Sequence, residues 1–226
     1  MYQLLFEALI TESADISCCG YRGITEKEEF VSDATERIDS FNRHQFLSNY
    51  YTRQIPFDTT FLWNKLFKRE LFQSVRLNPK IHIQEDTEVL LKLITKSHRV
   101  VYIGYSLYNY IIRNNTLSTN KDLEYYKSLN YSLKEIYIYT MKNIKYYEDF
   151  ALQNYIEQIF NNIVAIVKEN YPKSEYRNLR REIICLFPNI IRNNKLALKY
   201  KIHAIFITVC PLLYVRYIRV RIMKFG

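Results

Sequence analysis

The pattern of hydrophobic residues changes at Asn114–Asn115, and this change limits the folds that the chain can adopt. Before it, short β-rich stretches alternate with amphipathic helical patterns, which is typical of an α/β unit. After it, helical periodicity covers 121–145, 150–170, 174–187 and 189–209, with Pro172, Pro188 and Pro211 at or near the breaks. We therefore predict an α/β unit over 1–118, a mainly α-helical region over 119–226, and a boundary near 116–120.

Glycine is scarce, with four residues in 226, and this excludes several classes of protein. A complete nucleotide-binding domain needs glycines in its phosphate turns, and neither GxGxxG nor GxxxxGK[ST] occurs here. HExxH and GxSxG are also missing, so the sequence does not support a zinc or serine hydrolase. The four cysteines form no CxxC pair, which favours free thiols in a reducing cytoplasm.

The net charge of +9 comes entirely from the second half of the chain. Residues 1–120 contain 14 Lys/Arg and 14 Asp/Glu, whereas residues 121–226 contain 18 and 9. No acidic residue follows Glu182, against eight basic ones. Such a block indicates an anionic partner, although a solvated basic tail is the alternative. No recognition motif supports nucleic acid beyond charge, so we predict no nucleic-acid partner.

Local patterns between 14 and 112 predict short strands and helices. We expect strands at 14–21, Ile81–Ile83, 100–104 and 105–112, and helices at 41–51, 60–72 and 86–96, the second capped by Thr59 or Thr60. The acidic segment 25–39 predicts a loop or a short helix. Because few strands lie close to 14–21 in the sequence, we expect it to lack sheet partners.

Glu85 and Asp86 are the residues best suited to acid–base chemistry. They are adjacent carboxylates at the predicted start of a helix, where free amide groups and the helix dipole stabilise negative charge. By spacing alone, a helix cap is the simpler interpretation. The functional interpretation needs one carboxylate aimed at a cleft, within reach of a proton that it can accept.

Three further residues could contact a ligand. Trp63 is the single tryptophan, and its ring could stack on a sugar face or simply belong to the core. Lys65 and Arg113 could pair with phosphate oxygens, Arg113 with the better fork geometry, or be solvated surface charges.

Several segments, in order, resemble the C-terminal half of bacterial family 2 glycosyltransferases, which are inverting enzymes with the GT-A fold. LFEALITESADISCCGY is similar to the family's helix and strand after its metal-binding turn, and WNKLFKREL to its WNKLYKREL. EDTEVLLKL resembles its ED motif, and VVYIGYSLYNYIIRNNTLS its Y.Y..R..S segment. The resemblance covers about residues 2–118, and Gln84 stands where the family often has glycine.

The resemblance implies roles for these residues. Asp86 would be the general base that deprotonates an acceptor hydroxyl attacking the anomeric carbon of a nucleotide-sugar, and Glu85 would support it. Trp63, Asn64 and Lys65 would line the donor or acceptor side. Arg113 would meet the diphosphate or close over the site.

The chain departs from the family in its N-terminal half. The strand and loop that hold the nucleotide base are missing, and no Asp-x-Asp occurs to bind the Mg²⁺ or Mn²⁺ that the family uses. We therefore expect a truncated GT-A-like unit, with few short strands flanked by helices, whose activity alone is uncertain.

The predicted function is thus a glycosyltransferase of bacterial surface-polysaccharide or lipopolysaccharide assembly. Its partners would be a nucleotide-sugar donor and a saccharide or lipid-linked acceptor. We expect it in the cytoplasm or at the inner face of the cell membrane. The alternative is a non-catalytic basic helical protein that binds an anionic membrane surface. Residues 195–224 mix basic and apolar side chains, and the short apolar run before Pro211 predicts a segment that lies at an interface.

Overall fold

The chain folds into two compact units, Met1–Asn120 and Lys121–Gly226. A computed structural model describes residues 1–33, 35–52, 60–113 and 121–225. The first unit is mixed α/β and the second is helical, which confirms the predicted α/β class. The break at Asn114–Asn115, the boundary at 116–120 and the cap at Thr59 lie outside the described residues.

The described part of the first unit contains three helices and a small mixed sheet. Its helices are α1 (Tyr2–Thr11), α2 (Arg43–Thr52) and α3 (Glu85–Lys96), with a 3-10 turn at Arg69–Phe72. Its strands are β1 (Ile16–Ile24), β2 (Glu29–Val31), β3 (Ile38–Asn42), β4 (Lys65–Phe67) and β5 (Arg99–Ile111).

β1 is the strand around which the sheet is built. Its partner along one edge is β5, which runs parallel to it from Ile16↔Val100 to Ile24↔Ile111, with a bulge around Gly20. Its other edge is divided between β4, antiparallel beside residues 16–18, and β2, antiparallel beside residues 22–24. β3 completes the order β2-β1-β5-β3 by pairing antiparallel with the first half of β5.

Two expectations about strand pairing are wrong. The strand at 14–21 does not lack partners, because β5, β2 and β4 all pair with it. The segment 25–39 is neither a loop nor a short helix throughout, because it contains β2 and the start of β3. Both of these strands are exposed, so they bury no apolar face whose alternation the sequence could display.

The helix predicted over 60–72 and the strand predicted at Ile81–Ile83 are also wrong. The first segment instead forms β4 and the 3-10 turn, because pairing with the open edge of β1 outweighs a weak local helical pattern. At the second, the Ile81 amide donates to the Asn78 carbonyl at 3.0 Å, and the Asn78 side chain accepts from the Lys80 amide. A turn built on Asn78 therefore replaces the strand.

The helix predicted over 86–96 is confirmed as α3. Its apolar face, formed by Val89, Leu90, Leu93 and Ile94, is fully buried. This spacing of three and four residues places the side chains along one stripe of the helix. The burial fixes the orientation of α3, and with it the direction of the carboxylates in its first turn.

Asp15 joins the starts of β1 and β5 to the end of β4. Its carboxylate accepts hydrogen bonds from the His98 amide at 2.7 Å and from the Lys68 ammonium at 2.9 Å, and more weakly from the Arg99 amide. Its backbone carbonyl accepts from the Lys68 amide. Burial raises the pKa of Asp15, but these hydrogen bonds and the Lys68 charge outweigh it and hold the pKa below its ordinary value.

The second unit consists of five long helices. They are α4 (Leu123–Asn143), α5 (Glu148–Lys168), α6 (Lys173–Arg192), α7 (Leu198–Val209) and α8 (Pro211–Phe225), with a 3-10 turn at Lys145–Tyr147. Among the described residues, no helix combines the length and apolar character needed to cross a membrane.

The break predicted near Pro188 is misplaced. α6 continues through Pro188 to Arg192, so residues 189–209 do not form one helix. The chain turns at Asn193, whose side-chain oxygen accepts from the amides of Lys195 and Leu196 while its amide nitrogen donates to the Asp149 carbonyl. A buried asparagine therefore sets this break.

Candidate functional site

Glu85 and Asp86 occupy the first turn of α3. The residue before them, Gln84, is the N-cap and has a left-handed backbone with φ 62° and ψ 28°, and its side chain makes no capping hydrogen bond. Positive φ is ordinary for glycine and uncommon for other residues. Because Gln84 is the N-cap, neither Glu85 nor Asp86 caps the helix, and the capping alternative does not describe Asp86.

The Asp86 carboxylate bonds across to a neighbouring segment. Its Oδ2 accepts from the Leu62 amide at 3.4 Å, while its Oδ1 has no hydrogen-bond partner among the described residues. The side chain is half-buried, as is that of Glu85, which forms no hydrogen bond or ion pair within the described chain. Asp86 is thus placed beside the segment that carries Trp63, with one oxygen available to a ligand.

Trp63 is the centre of an aromatic cluster that we define as Tyr21, Phe61, Trp63, Tyr108 and Tyr110. Its ring stacks on Tyr108 with centroids 4.4 Å apart, on Phe61 at 4.6 Å, and on Tyr110 at 5.2 Å with only 7° between the planes. Tyr21 meets it edge-on at 5.2 Å. All five rings are half-buried, so the cluster is neither sealed core nor free surface.

The sheet explains why these rings meet. Tyr108 and Tyr110 are two apart on β5 and therefore point to the same face. Tyr21 is the β1 partner of Tyr108 in the parallel register. Of the five rings, only Trp63 was selected from the sequence. The alternating tyrosines of YSLYNY were the available signal for the β5 rings, whereas nothing local linked Tyr21 to them.

Asn64 and Lys65 are buried, with exposures of 2% and 5%. The Asn64 amide nitrogen donates to the Cys19 carbonyl at 2.7 Å, and its oxygen accepts from the Lys65 ammonium at 2.8 Å. That ammonium also donates to the Phe61 carbonyl at 2.5 Å. These bonds fix the path of the segment that holds Phe61 and Trp63, and direct ligand contact by Asn64 or Lys65 stays a prediction.

Arg113 lies just beyond the end of β5. The preceding amide, of Ile112, donates to the Ile24 carbonyl at 2.8 Å, so Arg113 leaves the sheet at the edge where the parallel strands β1 and β5 both end. Its side chain is exposed. Within the described residues, no hydrogen bond or ion pair connects it to Glu85 or Asp86.

Two buried acids in this unit were not among the residues selected from the sequence. Asp33 is 8% exposed and accepts from the Tyr102 hydroxyl at 2.9 Å and from the Thr35 amide at 2.8 Å. Burial and the Asp33 carboxylate raise the pKa of Tyr102, which keeps its phenol a donor. Glu88, 3% exposed, forms an ion pair with Lys92, and its Oε2 has no partner in the described chain.

The described residues contain no evident site for a divalent ion. Among the described residues, no three His, Cys, Asp or Glu side chains gather in a way that could hold a metal. In particular, no third side chain of these types joins Glu85 and Asp86 in a group that could hold a metal. The Mg²⁺ or Mn²⁺ implied by the resemblance therefore stays a prediction.

Comparison with known proteins gives no assignment. No protein-family model matches this chain, and no curated protein matches it.

Proposed function

We propose that the chain acts as an inverting glycosyltransferase with a nucleotide-sugar donor, in bacterial surface-polysaccharide or lipopolysaccharide assembly. The observation that carries the proposal is the half-buried Asp86 carboxylate held against the segment that presents Trp63. A base beside a stack of aromatic rings suits transfer to a sugar hydroxyl, because rings can pack on sugar faces and the base can accept the hydroxyl proton.

The bond changes of the proposed reaction balance around Asp86. An acceptor hydroxyl gives its proton to the free Oδ1, and its oxygen forms the new bond to the anomeric carbon. The bond from that carbon to the diphosphate breaks, and the electron pair leaves with the nucleoside diphosphate. The Leu62 amide holds Oδ2 and so orients Oδ1.

The backbone at Gln84 also supports the resemblance. Its left-handed conformation is the one that favours glycine, and the resembled family often has glycine at this position. On these grounds we propose that the first unit belongs to the GT-A class. Trp63 would contact the acceptor, Asn64 and Lys65 would position its segment, Glu85 would support Asp86, and Arg113 would approach the diphosphate.

A transfer assay tests the proposal. Purified protein is incubated with radiolabelled UDP-hexoses or UDP-N-acetylhexosamines and with a lipid-linked saccharide acceptor, and both transferred label and released UDP are measured. We expect transfer with inversion at the anomeric carbon, at a turnover on the order of 1 s⁻¹. If no donor in this panel is cleaved or transferred, with Mg²⁺ or Mn²⁺ supplied, the proposal is wrong for this chain.

A second function, binding to an anionic membrane surface, is favoured by an exposed apolar stripe on α7. The stripe consists of Leu198, Ile202, Ile205 and Val209, which are 47–71% exposed. Their spacing of three and four residues places them on one helix face. All charges from Lys195 onward are positive, which matches an anionic lipid surface.

Replacing Ile202 and Ile205 together by serine is expected to weaken binding to phosphatidylglycerol vesicles at low salt by at least about tenfold, because each buried methylene contributes about 0.8 kcal/mol. Co-sedimentation measures this. The matched control replaces Ile184 and Ile191, two isoleucines of α6 with similar exposure. Equal loss in the control, or equal binding to phosphatidylcholine vesicles, would contradict the membrane function.

A further inference from the structure

A groove in the helical unit is lined by cationic and aromatic side chains from three helices. It lies between α5, α7 and α8 and has a volume of about 460 Å³. Lys168 of α5, Lys199 of α7 and Arg221 of α8 supply positive charge, and none of the described residues that line the groove is acidic. The nearest acid to Lys168 is Glu169, an exposed residue outside the lining, 3.7 Å away.

His203 lies in the wall of this groove among aromatic rings. Its ring centroid is 5.6 Å from those of Phe160 and Tyr214 and 6.0 Å from that of Tyr217. Its Nδ1 is buried and has no hydrogen-bond partner among the described residues. An unpaired buried ring nitrogen is unfavourable unless a ligand satisfies it.

The Arg221 and Lys199 charges beside His203 form no ion pair among the described residues. Burial lowers the pKa of His203, and the Arg221 and Lys199 charges lower it further, so the imidazole is neutral near pH 7. The other titratable groups that line the groove are Lys168 on α5, Tyr200 on α7, and Tyr214 and Tyr217 on α8. Three cations and a neutral imidazole thus converge on one space with no negative charge among its lining residues.

We propose that this groove binds a phosphate group, carried by a small phosphorylated molecule or by a lipid head group. A phosphate offers several strong acceptor oxygens, which can accept from the Arg221 fork, from the lysine ammonium groups and from the His203 ring together. The aromatic side chains that line the groove can pack against the organic part attached to the phosphate. One of these side chains, Tyr200, already contacts the Lys199 ammonium, which lies 4.7 Å from its ring centroid. The site belongs to the helical unit and does not depend on the role proposed for Asp86.

The pKa of His203 reports occupancy of the groove. A bound phosphate anion stabilises the imidazolium form, so the pKa of His203 rises when the groove is filled. By linkage, phosphate binds more tightly as pH falls through that pKa. We expect a dissociation constant for inorganic phosphate on the order of 1 mM. NMR titration of the imidazole signals measures both quantities, with His44, His82 and His98 as internal reference signals.

Matched variants distinguish phosphate binding in the groove from a general effect of positive charge on the protein. Arg221→Gln and Lys199→Gln are expected to weaken phosphate binding by about tenfold each, through the loss of one charge-assisted contact. The control is Arg219→Gln, an exposed arginine on α8 that does not line the groove. It removes the same charge and is expected to leave the His203 titration unchanged. A heteronuclear spectrum of each variant confirms the fold.

Two probes distinguish the sources of the phosphate. A His203 shift with glycerol 3-phosphate supports a small phosphorylated ligand. A shift confined to phosphatidylcholine vesicles that contain phosphatidic acid supports a lipid head group. If His203 responds to neither probe nor to inorganic phosphate, or if Arg219→Gln weakens binding as much as Arg221→Gln, the proposal is overturned.

Discussion

The substitution Asp86→Asn is expected to lower the rate of glycosyl transfer by about 10²–10⁴-fold, which is the usual contribution of a positioned general base. Asparagine has nearly the shape of aspartate, and its side-chain oxygen can still accept from the Leu62 amide, as Oδ2 of Asp86 does at 3.4 Å. The local fold should therefore persist while the proton acceptor is lost. Steady-state kinetics should show the loss in kcat, with little change in the KM of the donor.

Asp122→Asn is the matched control for this experiment. Asp122 is also an aspartate at a helix N-terminus, where its side chain caps α4 by accepting from the Tyr125 amide at 2.8 Å. Its substitution removes the same charge from another helix N-terminus and should leave transfer unchanged. Full transfer activity in Asp86→Asn, or an equal loss in both variants, would show that Asp86 contributes only to the stability of its helix.

The substitution Asp15→Asn is expected to destabilise the first unit by about 2–3 kcal/mol at pH 7, since hydrogen bonds to a charged group contribute about 1.5–3 kcal/mol. Two backbone amides and the Lys68 ammonium all donate to the Asp15 carboxylate, so the NH₂ group of asparagine must face at least one donor. Lys68 is 41% exposed, so its ion pair contributes the smaller share. The free energy of opening, from hydrogen exchange of β1 and β5 amides, measures the loss.

The destabilisation caused by Asp15→Asn should decrease as pH falls. The folded-state pKa of Asp15 lies below its ordinary value, so its carboxylate stabilises the fold above the unfolded-state pKa of about 3.9 and loses this effect as pH falls through the folded-state value. The difference between the two proteins should therefore shrink as pH falls below the unfolded-state pKa of about 3.9 and through the lower folded-state pKa.

Glu29→Gln is the control for Asp15→Asn. Glu29 and Arg22 form an ion pair at 3.9 Å in which both side chains are about half exposed or more. Its loss should change stability by less than about 1 kcal/mol at either pH. A destabilisation by Asp15→Asn that is the same at neutral and acid pH would show that packing, and not the carboxylate charge, is responsible.

What the sequence could predict depended on whether the signal was local. α3 was predictable because its four apolar residues repeat at helical spacing and are all buried. β4 was not, because a three-residue strand exists only through its pairing with β1. The Asp33–Tyr102 hydrogen bond joins residues 69 positions apart, and no local pattern indicates such a contact.

The same difference between local and non-local signals holds at the candidate site. Glu85, Asp86 and Trp63 were selected from the sequence, and the Leu62–Asp86 hydrogen bond connects their two segments. The four other rings of the aromatic cluster come together only through the parallel pairing of β1 with β5 and the path of residues 60–64. Arg113 was selected as well, but no described contact connects it to the carboxylates.

The position of Trp63 also makes the first unit visible on its own by fluorescence. It is the only indole in the chain, and three tyrosine rings lie within about van der Waals reach of it, with centroids 4.4–5.2 Å away. Light absorbed by these tyrosines will pass to the indole, so emission at long wavelength reports whether this cluster is assembled. A ligand that separates one ring from the stack would then change the ratio of tyrosine to indole emission.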